Sequence, residues 1–154
     1  MDIFTKQDLS LNYWIQELFT DTPFIKVVDG FPLTNLYIPS IAIENDDIDS
    51  SPFELGNKKR LYLRSWNIDI FAKNKAQRDE CSYRILVALE DSIPVYDFDV
   101  SFPTETAPPY TYPLKLGCLL PLDFRLKVIK VIPELVSDLY YRASISLQTE
   151  YSVF

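Results

Sequence analysis

Histidine is missing from this 154-residue chain. Its absence removes every mechanism built on imidazole: Ser-His-Asp and Cys-His nucleophiles, histidine general acid–base catalysis and histidine metal ligation. Glycine is nearly as scarce. The three present, Gly30, Gly56 and Gly117, stand far apart, so none of the glycine-rich phosphate loops can be built. The two cysteines, Cys81 and Cys118, form no Cys-x-x-Cys pair and have no histidine to complete a zinc site. Both read as core filler in a reduced chain, with a disulfide between them left open. Cations are outnumbered, 15 Lys and Arg against 22 Asp and Glu, for a net charge of −7. Such a chain is repelled by phosphate backbones and gains nothing from counterion release, which argues against gripping nucleic acid directly. No apolar run approaches the ~20 residues that span a bilayer. Residues 1–6 show no basic stretch leading into an apolar core, so no secretory signal is expected, and the expectation is a soluble chain made in the cytoplasm.

What remains is ordinary globular material. Hydrophobic residues make up 47% and charged residues 24%, enough apolar content for one domain over residues 1–154 with a real core. Ten Tyr, ten Phe and two Trp supply large contact area, either for that core or for subunit interfaces. Thr5 followed by Asp8 resembles a capping box, and Leu11, Trp14, Ile15 and Leu18 make one stripe of an amphipathic helix ending near Thr20. Short strands are expected at 24–28, stopped by Asp29-Gly30, and at 36–43, where Pro39 argues for an edge or a bulge. An acidic loop should follow over 44–57. Residues 95–100 suggest another strand after Pro94 closes the second helix, and 124–132 alternate cations with apolar residues. Residues 102–113 hold Pro103, Pro108, Pro109 and Pro113, a density that favours a stiff extended loop. The last segment has the cleanest period of two. Tyr141, Ala143, Ile145, Leu147, Thr149, Tyr151 and Val153 face one way, and the polar residues between them face the other.

The most telling stretch is 61–91. Trp66, Ile68, Ile70 and Ala72 fall on one side of a strand, with Asn67 and Asp69 on the other. Trp66 and Ile68 should pack against Leu86 or Leu89 of the helix that follows. Asn74 is a good N-cap for that helix, which should run from about 75 to 90, and Gln77 is placed to reach back to the Asn74 N–H. Cys81, Ile85, Ala88 and Leu89 form its buried stripe, with Arg78, Asp79, Glu80 and Arg84 largely outside. The run Arg64-Ser65-Trp66-Asn67-Ile68-Asp69-Ile70-Phe71-Ala72, continued by Lys73-Asn74-Lys75-Ala76-Gln77-Arg78-Asp79-Glu80-Cys81-Ser82-Tyr83-Arg84-Ile85, resembles the central strand and helix of small phage tail terminator (tail completion) proteins. The order of elements agrees with an α+β fold, a mostly antiparallel sheet with two helices packed on one face and extended loops.

Three carboxylate groupings offer chemistry. Asp46, Asp47, Asp49 and the neighbouring serines could hold a hard cation, but the EF-hand glycine and terminal glutamate are absent, and a solvated acidic loop is the plainer reading. Asp97 and Asp99 could share a metal or protons, though charge that blocks edge pairing is commoner. Asp69 invites comparison with metal-dependent nucleases, which follow a strand carboxylate with an acid-x-Lys triplet. Here Ile70-Phe71-Ala72-Lys73 follows instead, so Asp69 reads as a hydrogen-bond acceptor near the strand–helix junction. Arg125, Lys127 and Lys130 are too few to make a nucleic-acid surface; a strand edge meeting an acidic neighbour fits them better.

No catalysis, metal or cofactor is therefore expected. The resemblance implies a structural virion protein of a tailed phage: a homomeric ring, typically of six subunits, that caps the tail tube and offers a docking face to the head. Its implied partners are the tail tube protein and the head-closure or neck proteins, with DNA passing through the lumen unbound. A head-closure role is the alternative inside the virion, and a monomeric peptide-binding adaptor or a nuclease outside it. The candidate contact elements are the acidic loop (Asp46, Asp47, Asp49, Phe53, Glu54), the proline-rich loop (Tyr110, Tyr112) and the final strand (Arg142, Gln148, Glu150).

Overall fold

The structure, a computed structural model, describes residues 2–30, 38–52, 60–98, 115–129 and 141–153. Helix α1 (Ile3–Leu18) is followed by β1 (Lys26–Asp29), β2 (Ser40–Pro52), β3 (Arg60–Ala72), α2 (Lys75–Ala88), β4 (Ile93–Tyr96), β5 (Lys115–Ile129) and β6 (Tyr141–Val153). The strands form a six-stranded sheet in the order β1-β2-β3-β6-β5-β4. Pairing is antiparallel throughout except between β1 and β2. The α+β architecture expected from the sequence is the one found.

One face of this sheet is the core. Trp66, Ile68 and Ile70 of β3 stand opposite Leu147, Ile145 and Ala143 of β6, all at 2% exposure or less. Ile41 and Ile43 of β2 extend the same layer. Leu11 and Ile15 of α1 close over it together with Cys81, Ile85 and Leu89 of α2, so both helices serve one apolar cluster. Trp14 and Leu18 complete the α1 stripe from its half-buried margin. Where Gly117 of β5 passes β6, an added Cβ would strike the Ser152 carbonyl oxygen, so this position admits no side chain without moving backbone. Gly30, at φ +81°, makes the turn after β1.

Several expectations are corrected. The cap of α1 is Asp2, not Thr5: the Asp2 carboxylate accepts from the Thr5 N–H at 2.9 Å, and the helix starts one turn earlier. Asp8 then lies inside the helix and turns to the sheet instead. In α2 the Asn74 cap is as expected, accepting from the Gln77 N–H at 2.8 Å, but Gln77 returns the bond to the Lys73 N–H rather than to that of Asn74. Ser82 takes a buried place beside Cys81 because its hydroxyl is satisfied by the Arg78 carbonyl at 2.7 Å, and Ala88 is only half-buried. Pro94 does not merely end α2; it lies within β4, which starts at Ile93 and tolerates proline as the outermost strand.

The largest correction concerns residues 44–52. They are not a loop. They continue β2 and pair with β3 up to Pro52↔Arg60, with one irregularity between Asn45 and Ile48. The final strand, a candidate contact element, is internal to the sheet. β6 lies between β3 and β5 and is paired on both sides.

Candidate functional site

The sheet's second face is polar in its middle. Asn67, Ser146 and Arg125 share one row across β3, β6 and β5, and Ser65, Gln148 and Asp123 share the next. Ser65, Asp123, Arg125, Ser146 and Gln148, with Asp46, line an open groove of about 360 Å³. Open and hydrophilic, it lacks the apolar enclosure of a small-molecule site. Among the described residues no group of three or more Cys, Asp or Glu side chains is arranged to hold a metal, and no helix is long and apolar enough to cross a membrane.

The candidate contact residues are not brought together as one patch. Asp46, Asp47 and Asp49 are exposed on β2, and none makes an ion pair among the described residues. Phe53, Glu54, Tyr110 and Tyr112 lie outside the described residues, as does the whole proline-rich segment. Arg142 is committed inside the fold: its guanidinium donates to Asp69 Oδ1 at 3.1 Å and stacks over the Phe71 ring at 5.2 Å. That pairing gives Asp69 the acceptor role expected of it, with the Arg142 guanidinium as its donor. Gln148 is half-buried in the groove, and Glu150 stands between Leu63 and Leu120 on the same face. Asp97 pairs with Lys6 at 3.0 Å, and Asp99 is outside the described residues.

The best-organised polar cluster is one that sequence reading missed. Arg64, 3% exposed, lies on the core face of β3. It makes an ion pair with Asp8 of α1 at 2.9 Å and donates to the Phe4 carbonyl at 3.1 Å and to Gln7 Oε1 at 3.2 Å. Its guanidinium lies over the Trp66 ring at 4.5 Å, and the Trp66 indole N–H donates to Asp8 at 3.2 Å. The signal was present: Arg64 shares parity with Trp66, Ile68 and Ile70, and a cation on the core face requires a buried partner. The cluster holds α1 to β3, and the Arg64 Nε–H is left without an acceptor among the described residues.

Cys81 and Cys118 are both free and buried. Burial pushes the Cys81 thiol from its ordinary 9.0 up to about 11, with the Glu80 carboxylate adding to the rise. The depression beside it, about 40 Å³, has room for a few waters but not for a bulky reagent. Cys81 should therefore resist a bulky disulfide reagent at pH 8 in the folded protein and react fully in denaturant. Its folded pKa lies above its unfolded one, so its contribution to stability is complete below pH 9 and falls as pH rises toward 11. Rapid labelling of Cys81 under native conditions would contradict its placement.

No family model matches this chain, and no curated protein matches it. Among solved structures it is similar to a chain described as "Virion of native gene transfer agent (GTA) particle". The identity is 11% and the TM-score 0.44, over 94% of this chain and 93% of that one. A likeness at that level assigns no function.

Proposed function

We propose that this chain is a structural virion protein of a tailed phage, a tail terminator whose single domain forms a ring on the last tube ring and joins it to the head. The observation that carries the reading is the run 64–85, which resembles the central strand and helix of tail terminators and in this fold occupies β3 and α2. The task needs no catalysis. It needs a surface complementary to the tube end and another from which tube subunits cannot extend. Its partners would be further copies of itself, the tube protein and the head-closure proteins. The polar groove face, where Ser65, Ser146 and Gln148 stand with two carboxylates, Asp46 and Asp123, against one cation, Arg125, suits a lumen through which DNA slides without being held.

The test is deletion of the gene from its phage, scored by electron microscopy of the resulting tails. Tails of uncontrolled length, restored to uniform length by supplying this protein, are the expected result. Tails of normal length that fail to join heads would assign the head-closure role instead. Normal, infectious particles would overturn both.

A further inference from the structure

Among the described residues β4 is the outermost strand on its flank, with β5 as its one strand partner. An outermost strand offers its outward backbone groups to any further strand unless something occupies them. On β4 the outward N–H positions are taken out of use. A proline within a ladder must turn its nitrogen away from the partner strand, so Pro94 leaves that side without a donor. Two residues on, the Tyr96 N–H goes to the Ser10 Oγ of α1 at 3.1 Å instead of to a strand. The register shift between Val95 and Tyr96 bends the strand at the same point.

What holds this seam is a second stripe on α1. Lys6, Ser10 and Tyr13 stand at i, i+4 and i+7, beside the Leu11 and Ile15 stripe that faces the core. Ser10 is fully enclosed. Serine is a weaker helix former than alanine, so its place inside α1 is explained by the bond it accepts and not by helix propensity. Lys6 pairs with Asp97 at 3.0 Å, their side chains 12% and 14% exposed. Tyr13 meets Tyr96 edge-on with ring centroids 5.6 Å apart, and with Phe98 and Leu9 they make a small apolar cluster apart from the main core. α1 therefore closes the core with one stripe. With the next it lies along the end of β4 and the two residues after it, where a seventh strand would pair.

We infer that α1 guards the β4 edge, with Ser10 as the residue that closes it, so that a second copy of this chain is barred from adding a strand there. The inference goes beyond the terminator reading and holds for the chain as a monomer or within a ring. It limits how copies meet: whichever surfaces join them, the sheet is not continued from one copy to the next through β4.

Amide hydrogen exchange of the full chain, resolved by residue, tests the guard. The Tyr96 amide should exchange slowly although β4 is outermost. In Ser10→Ala, which removes the acceptor and little volume, it should exchange roughly tenfold faster, while the Ile68 and Ile145 amides at the centre of the sheet keep their rates. An unchanged Tyr96 rate would overturn Ser10 as the closing residue. So would a rise shared equally by Ile68 and Ile145, since Ser10 would then support the whole fold and not the edge. A second experiment loosens the stripe itself with Lys6→Glu, Ser10→Ala and Tyr13→Ser together, leaving Leu11 and Ile15 in the core. This triple variant should sediment as larger, concentration-dependent species than the unmodified chain, and adding Tyr96→Pro, which deletes the freed N–H, should reverse the change. A folded triple variant no larger than the unmodified chain, or extra association that survives Tyr96→Pro, would overturn the guard. If the triple variant fails to fold, the exchange measurement decides by itself.

Discussion

Replacement of Trp66 by alanine is expected to cost about 3–5 kcal/mol of folding stability, the range for deleting a fully enclosed aromatic ring. The indole is 1% exposed and sits at the centre of the core layer, opposite Leu147 on β6. Its removal leaves a cavity between sheet and helices that neighbouring β-branched side chains have few rotamers to fill. It also strips a donor from Asp8 and the ring from beneath the Arg64 guanidinium. Against a typical net stability of about 5–15 kcal/mol, a loss of this size is visible as a large shift in urea midpoint. Trp66→Phe, which keeps most of the volume and loses the N–H, should fall between the two. A midpoint unchanged in Trp66→Ala would mean that the faces of β3 are reversed.

Asp8→Ala should destabilise by about 3 kcal/mol, the low end for a buried ion pair that loses one partner. The reason is asymmetric. Without Asp8, Arg64 is answered by the Phe4 carbonyl, the Gln7 Oε1 and the Trp66 ring, none of which is charged, whereas Asp8 has contact with water, its side chain being 27% exposed. Removing both members, as Asp8→Ala with Arg64→Met, should recover part of the loss because no uncompensated cation remains. The measurement is a double-mutant cycle on denaturation midpoints. If the double variant proved as unstable as the sum of the singles, Arg64 and Asp8 would not be energetically coupled.

The parts of this fold that were readable are those where local chemistry and tertiary packing agree. On β3 the parity of Trp66, Ile68 and Ile70 against Asn67 needed no partner to be seen, and Asn74 announces its helix by side-chain chemistry alone. On β6 the same parity revealed the two faces. It could not reveal that both edges are paired, because period two reports burial of faces and is silent on neighbours. Residues 44–52 misled for a physical reason. Asp46, Asp47 and Asp49 are poor strand formers, yet the ladder with β3 resumes at Ile48 and carries Asp49 opposite Leu63, while Asp46 and Asp47 fall in the irregularity where the register shifts. Their acidity was legible; the strand around them came from the pairing. Phe71 and Asp69 lie on the face read as wet but are buried, at 1% and 7% exposure. Arg142, placed by β6 from far along the chain, could not be assigned to them by local pattern.

The central position of β6 has a consequence for how the molecule comes into being. β1, β2 and β3 are consecutive in the chain, and so are β4 and β5, yet the two groups are joined in the sheet only through β6. A growing chain can zip β2 onto β3 early, because their pairing is local. The inner edge of β3 must then wait some eighty residues of synthesis for its other neighbour, as Asn67↔Ser146 illustrates. Contacts of such sequence separation form late and slowly. Until they form, the nascent chain presents unpaired strand edges to chaperones and to other nascent copies. Insertion of β6 closes those inner edges, so the two halves of the sheet become one only when the strand that comes last in chain order is in place.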